Sequence, residues 1–265
     1  MVKLSRRVRF AINPHSSSGG GGGGNGYGGV PRMEGFGRHY EATVTTAGEP
    51  DATTGYLTDI REIDRAVRQV VVGYLHQVCE REPASCPCAN VLRMGELVGK
   101  EVGGLQEFVL HLTPTYEVSM SMSVKDHVVI RQQFDLAAAH RLHARGLSDG
   151  ENARVFGKCN NPNFHGHNYR VQVSVRVGFV MGAMRLAGLE EAVEESIIKR
   201  FDHKNLNVDC AEFDQSRGGV NPSVEHIARV FFEAVEPAVR QRDGNAEVVS
   251  VQVWETEKTS AVYPG

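Results

Sequence analysis

The stretch HGHNYRVQVSVRVG (His165–Gly178) alternates without a break. His165, His167, Tyr169, Val171, Val173, Val175 and Val177 fall on one side of an extended chain. Gly166, Asn168, Arg170, Gln172, Ser174 and Arg176 fall on the other. A period of two with one apolar and one polar set marks a half-buried strand. An earlier stretch, GRHYEATVTTAG, has the same form around Tyr40. The likeness extends in both directions. Upstream stand VRFAIN near Phe10 and QQFDLAAAH near Phe134. Downstream come two amphipathic helical stretches, IREIDRAVRQVVVGYL (Ile60 to Leu75) and LEEAVEESIIKRF (Leu189 to Phe201). Second helices follow, in CPCANVLRMGELVGKEV and NPSVEHIARVFFEAV, and each half closes on alternating stretches, EFVLHLTPTYEVSM and EVVSVQVWETEKTSAVY. The order strand, strand, helix, helix, strand, strand therefore occurs twice, with the halves meeting near Ser121 to Asp126. This predicts a tandem duplication, with domains over 1–122 and 126–265.

A length of 265 residues suits two domains of ordinary size. With 41% hydrophobic residues, 23% charged residues and a net charge of −3, the chain can build cores but has no global field for nucleic acid or an anionic membrane. No apolar run approaches the roughly 18 residues of a membrane-spanning helix. The start, MVKLSRRVRFAINPH, lacks the apolar stretch of a secretory signal, so a cytoplasmic protein is expected. Five cysteines, an odd number, argue against a disulfide framework. Nine of the 29 glycines fall between Gly19 and Gly29, which reads as a flexible loop. No Lys-Ser/Thr ends that run as a phosphate-binding loop requires.

The preceding strand places Phe134, Leu136, Ala138 and His140 on one face. If it pairs antiparallel with the His165 strand, His140, His165 and His167 converge at one end of an apolar face. Three neutral imidazoles are suitable ligands for zinc, and three protein ligands leave a fourth position open, the catalytic arrangement. Cys159 lies six residues before His165 in FGKCNNPNFHGH, on turn-forming sequence, where Lys158 and a nearby cation are expected to lower its thiol pKa. Asp202-His203 sets a carboxylate beside an imidazole, a plausible proton relay. Val249, Val251, Val253 and Glu255 share a face, and a carboxylate ending an apolar stripe needs a partner, such as paired N–H groups of an amino-pyrimidine ring.

AAAHRL, FGKCNNPNFHGHNY, DHKNLN, PSVEHIA and VWETEKTSAVY, in this order over roughly residues 132–263, resemble the 6-pyruvoyltetrahydropterin synthase family. The resemblance implies an α+β architecture, a tandem T-fold. In each copy an antiparallel sheet carries two helices on one face, and copies assemble around a tunnel into homo-oligomers. It implies His140, His165 and His167 as zinc ligands, and Cys159, Asp202 and His203 as the proton-transfer group. It makes Glu255 the anchor of the pterin ring. The implied reaction is that of a lyase, converting 7,8-dihydroneopterin triphosphate to 6-pyruvoyltetrahydropterin with loss of triphosphate. Lys158, Arg141 and Lys204 are candidates for the phosphates by sequence proximity alone. The relative that forms 6-carboxytetrahydropterin is the alternative, although five residues separate Cys159 from His165, as in pyruvoyl-forming members. A non-catalytic pterin-binding or scaffolding protein is the competing reading of another class.

The first half departs from this pattern. Phe36 and Arg38 occupy the H-x-H positions, His76 stands near the Asp-His position, and Thr115 replaces the anchoring glutamate. Conversely, TTGYLTDI with Asp59 keeps a motif that in FVMGAMRLAGL has Arg185 in place of the acid. The expected arrangement is a degenerate first copy that supplies interface walls and a second copy that supplies chemistry.

Overall fold

The computed structural model describes residues 1–14, 25–178 and 184–265. The expected Gly19–Gly24 loop lies outside them, as does part of FVMGAMRLAGL. The chain divides into two compact units, Met1–Ile130 and Arg131–Gly265. Both have the α+β composition of the tandem T-fold, with antiparallel strands and packed helices.

In the first unit, β1 (Val2–Ile12) pairs antiparallel with β2 (Arg38–Gly48), Phe10 opposite Tyr40. A continuous helical run follows: α1 (Ile60–Ala66), a π-helical stretch (Val67–Val72) and α2 (Gly73–Arg81). Asp59 starts it by accepting a hydrogen bond from the Arg61 amide at 2.9 Å. After α3 (Pro87–Glu101), β3 (Leu105–Thr113) pairs with β2 and with β4 (Tyr116–Ser121). The predicted alternation is borne out, with Val8, Phe10, Ala42, Val44 and Phe108 fully buried. Gly95 lets α3 approach β4 closely, since a Cβ there would lie 2.5 Å from the Met120 sulfur. Gly29 adopts φ +70, and a Cβ there would press within 3.0 Å of the Phe10 backbone.

β5 (Val124–His140) leads from the first unit into the second. There follow α4 (Asp149–Phe156), a 3₁₀ turn (Gly157–Asn160) and β6 (His165–Gly178). Then come α5 (Leu186–Val193), a π-helical stretch (Glu194–Ile198) and α6 (Lys199–Phe201). β7 (Lys204–Asn205) pairs parallel with β5, Lys204 opposite Ala138, and leads into α7 (Leu206–Asp209) and a 3₁₀ turn (Gln215–Arg217). The last elements are α8 (Val224–Arg242), β8 (Glu247–Thr256) and β9 (Thr259–Tyr263). Sheet order is β5-β6-β8-β9, with Val171 opposite Val253.

The core of this unit sets Val171, Val173 and Val175 of β6 and Val251 and Val253 of β8 against Leu189, Ile197, Ile227 and Phe231, all fully buried. Burying each such side chain contributes about 1.5–3 kcal/mol. Among the described residues, no helix is long and apolar enough to cross a membrane.

Candidate functional site

β5 and β6 are neighbours in the sheet, and the ends of their apolar faces bring together His140, His165 and His167. One ligand nitrogen from each lies within 4.8 Å of the others. His140 is completely buried, and its Nδ1 donates to the Pro222 carbonyl over 2.7 Å. A carbonyl only accepts, so Nδ1 carries the proton and the Nε2 lone pair faces His165 Nε2, 3.1 Å away. Burial drives His140 down to about 4, outweighing the opposing effect of the Pro222 carbonyl. Burial and then the neighbouring His167 lower His165 as well. His167 Nε2 is closed off from solvent without a hydrogen-bond partner. Converging imidazoles with a buried nitrogen lacking a partner fit a zinc ion in donor type and number.

Glu255 Oε1 lies 3.3 Å from His140 Nε2 and 3.7 Å from His167 Nε2. The carboxylate that ends the apolar stripe of β8 thus meets the histidine cluster itself. Tyr169, next on the same face of β6, sets its ring 5.5 Å from that of His167, and its buried hydroxyl has no partner.

Cys159 does not lie on an irregular loop. Ser148 and Glu151 form a capping box that starts α4, and Cys159 falls in the 3₁₀ turn after it. The S-D-G-E signature at 148–151 was the available signal for this helix. The turn is bound to the segment beyond His140. Leu142 N donates to the Cys159 carbonyl over 2.8 Å, and Asn160 Nδ2 donates to the Leu142 carbonyl over 2.6 Å. Arg141 donates to the Asn160 carbonyl and side chain, so that candidate for the phosphates is engaged in holding the turn. Cys159, Lys158, His165 and His167 line one cavity of about 670 Å³. The expected lowering of the thiol pKa by Lys158 is not found. Burial first, and the Glu255 charge second, raise it.

Asp202 and His203 are held against β5. Asp202 Oδ1 accepts from Ala137 N over 2.8 Å, His203 N donates to the Ala137 carbonyl over 2.6 Å, and His203 Nδ1 lies 2.7 Å from Asp202 Oδ2. The Ala137 amide, more than His203, holds the Asp202 carboxyl below its ordinary pKa. His203 and Phe164 adopt positive φ, 55° and 62°, left-handed conformations that non-glycine residues seldom take. His203 and Lys204 line a second cavity, of about 460 Å³, with Gly166 and His167. Within one chain, Cys159 and His203 therefore line different cavities, with His167 bordering both.

Among the described residues, the first unit holds no counterpart of the histidine cluster. Among the described residues, the three histidines form the one cluster of three or more metal-ligating side chains. Phe36 is fully exposed, and His76 pairs with Glu80 at 3.6 Å. One expected correspondence needs correction. Thr113 closes the β3–β4 hairpin opposite Tyr116 as Thr256 closes β8–β9 opposite Thr259, so Leu112 rather than Thr115 answers to Glu255.

Similarity to known proteins follows the second unit. The family profile described as 6-pyruvoyl tetrahydropterin synthase matches residues 129–265. The chain is 36% identical over 142 residues to the 6-pyruvoyl tetrahydrobiopterin synthase of Homo sapiens, covering 51% of this chain and 90% of that protein. Against the protein of that name from Poecilia reticulata it is 39% identical over 132 residues, covering 49% and 84%. Over 99% of this chain and 92% of the other, the structure is similar to uricase from Arthrobacter globiformis, with a TM-score of 0.50 and 8% identity. At that identity the likeness concerns the fold alone.

Proposed function

The chain belongs to the 6-pyruvoyl tetrahydropterin synthase family, and from that membership we propose that its second unit is a zinc-dependent lyase. Its substrate would be 7,8-dihydroneopterin triphosphate and its products 6-pyruvoyltetrahydropterin and triphosphate. The observation that carries this reading is the cavity shared by Cys159, His165 and His167.

His140, His165 and His167 would hold the zinc, which supplies Lewis acidity to the substrate's side-chain oxygens and acidifies the adjacent C–H. Cys159 Sγ, in the same cavity, takes and returns the proton. Burial and Glu255 keep the thiol protonated, and a bound cation opposes both effects. Asp202 orients the His203 ring through Nδ1, leaving Nε2 to relay a proton. Glu255 accepts the paired N–H groups of the pterin ring. Moving double bonds within the substrate expels triphosphate, so no external oxidant enters. Lys158 borders the first cavity and Lys204 the second, where each can meet a phosphate.

Because Cys159 and His203 line different cavities, the reading requires a homo-oligomer in which a second copy brings its Asp202-His203 pair to Cys159. The direct test incubates zinc-loaded protein with 7,8-dihydroneopterin triphosphate, without a reductase, and identifies the product by mass. 6-Pyruvoyltetrahydropterin is expected. 6-Carboxytetrahydropterin would move the assignment to the carboxy-forming relative, and unchanged substrate would refute turnover.

A further inference from the structure

The strand register shows what became of the first unit's counterpart of the metal site. Arg170 opposes Trp254 as Glu41 opposes His111, so one residue back Tyr169 and Glu255 correspond to Tyr40 and Leu112. Two residues further back, His167 corresponds to Arg38. The counterpart position is not filled in. Arg38, Tyr40 and Leu112 line a cavity of about 300 Å³ bounded also by α2 and α3. Pro87 borders it too, where the second unit has Pro222.

The polarity of the two sites is opposite. In the second unit, neutral imidazoles and the Glu255 carboxylate converge and call for a cation. In the first, a guanidinium replaces an imidazole and a leucine replaces the carboxylate. Arg38 is the sole charged group among the described residues that line the cavity, and among the described residues no carboxylate lies within ion-pairing distance of it. It shares the cavity lining with Tyr40 and Cys79. Asn90, which also lines the cavity, is already engaged by Tyr74 at 2.8 Å and Ser85 at 2.9 Å. The apolar surface open to the cavity comes from Val78, Pro83, Pro87 and Leu112, with Met94 and Leu110 fully buried behind it.

We propose that this cavity is a binding site for a small organic carboxylate, its oxyanion on Arg38 and its apolar body against Val78 and Leu112. A guanidinium offers a carboxylate two parallel N–H donors, and the apolar lining rewards an apolar body over a bare inorganic anion. The site is independent of the chemistry proposed for the second unit.

Cys79 lines the cavity and reports on it. The full-length protein is treated with iodoacetate or with iodoacetamide, and labelling of Cys79 is followed by peptide mass spectrometry. The reference is the iodoacetate-to-iodoacetamide rate ratio of Cys79 in the urea-unfolded chain. Folding is expected to raise that ratio about tenfold, the factor of one charge-assisted hydrogen bond. Arg38→Leu returns it to the unfolded value, and Arg38→Lys, which keeps the charge, retains part of the rise. Benzoate slows iodoacetamide labelling of Cys79 in the parent protein and not in Arg38→Leu, whereas benzyl alcohol has no effect in either. A ratio unchanged by folding, a rise that survives Arg38→Leu, or equal protection by benzoate and benzyl alcohol overturns the proposal.

Discussion

At the residue scale, the roles proposed for the three histidines and for Cys159 differ, and substitution should separate them. The thiol lines a cavity with His165 and His167 but is not among the three side chains that could hold a metal ion. Cys159→Ala is therefore expected to lower turnover by about 10²–10⁴-fold, while atomic emission still finds one zinc per chain. Loss of zinc in that variant would make the cysteine a ligand instead. Asp202 offers a test through pH. Its folded carboxyl is held low by the Ala137 amide, so its stabilisation is complete above the unfolded pKa of about 4 and disappears as pH falls through the folded value. Asp202→Asn keeps an oxygen for the Ala137 amide and loses the titration. Urea midpoints of this variant should fall less steeply than the parent's below about pH 4. An identical slope would show that the carboxylate does not titrate as described.

At the element scale, the segment between β5 and β6 shows how local chemistry positions Cys159. Turn-forming Asn-Asn-Pro-Asn predicts a loop; residues 161–164 do form a turn, closed by Phe164 N on the Asn161 carbonyl, and α4 with the 3₁₀ turn that carries Cys159 precedes it. The loop expectation weighs residues 160–163 and passes over the capping box at Ser148 and Glu151. Ser148→Ala removes one side of that box and should cost about 1 kcal/mol. Hydrogen exchange should quicken over residues 149–160 and not in α8. The two closing hairpins carry the second element-level lesson. Likeness of sequence alone aligns Thr115 with Glu255, whereas hairpin register aligns Leu112. A slip of this kind moves a side chain along the strand and exchanges one face for the other.

At the scale of the whole molecule, the placement of Cys159 and His203 in different cavities gives a complementation test. Cys159→Ala and His203→Ala are each expected to be inactive alone. Co-expressed, they should recover a fraction of parent activity, because a mixed pair of copies contains one intact combination. No recovery would mean that both residues act within one chain.

How much was legible follows from how local each signal is. Alternate-residue burial and helical periodicity depend on neighbours a few positions apart, so the order of strands and helices, the repeat and the convergence of His140, His165 and His167 could be read directly. The contacts of individual side chains could not. Arg141 stands beside His140 in sequence, yet it holds Asn160; Glu255 reaches the histidines across the sheet. Such pairings join residues far apart in the chain, and strand register and packing select them from many that the sequence permits. The same holds for the cavity at Arg38. The loss of histidine is visible in the sequence, whereas an apolar pocket with a lone guanidinium exists only once β2, β3, α2 and α3 have closed around it.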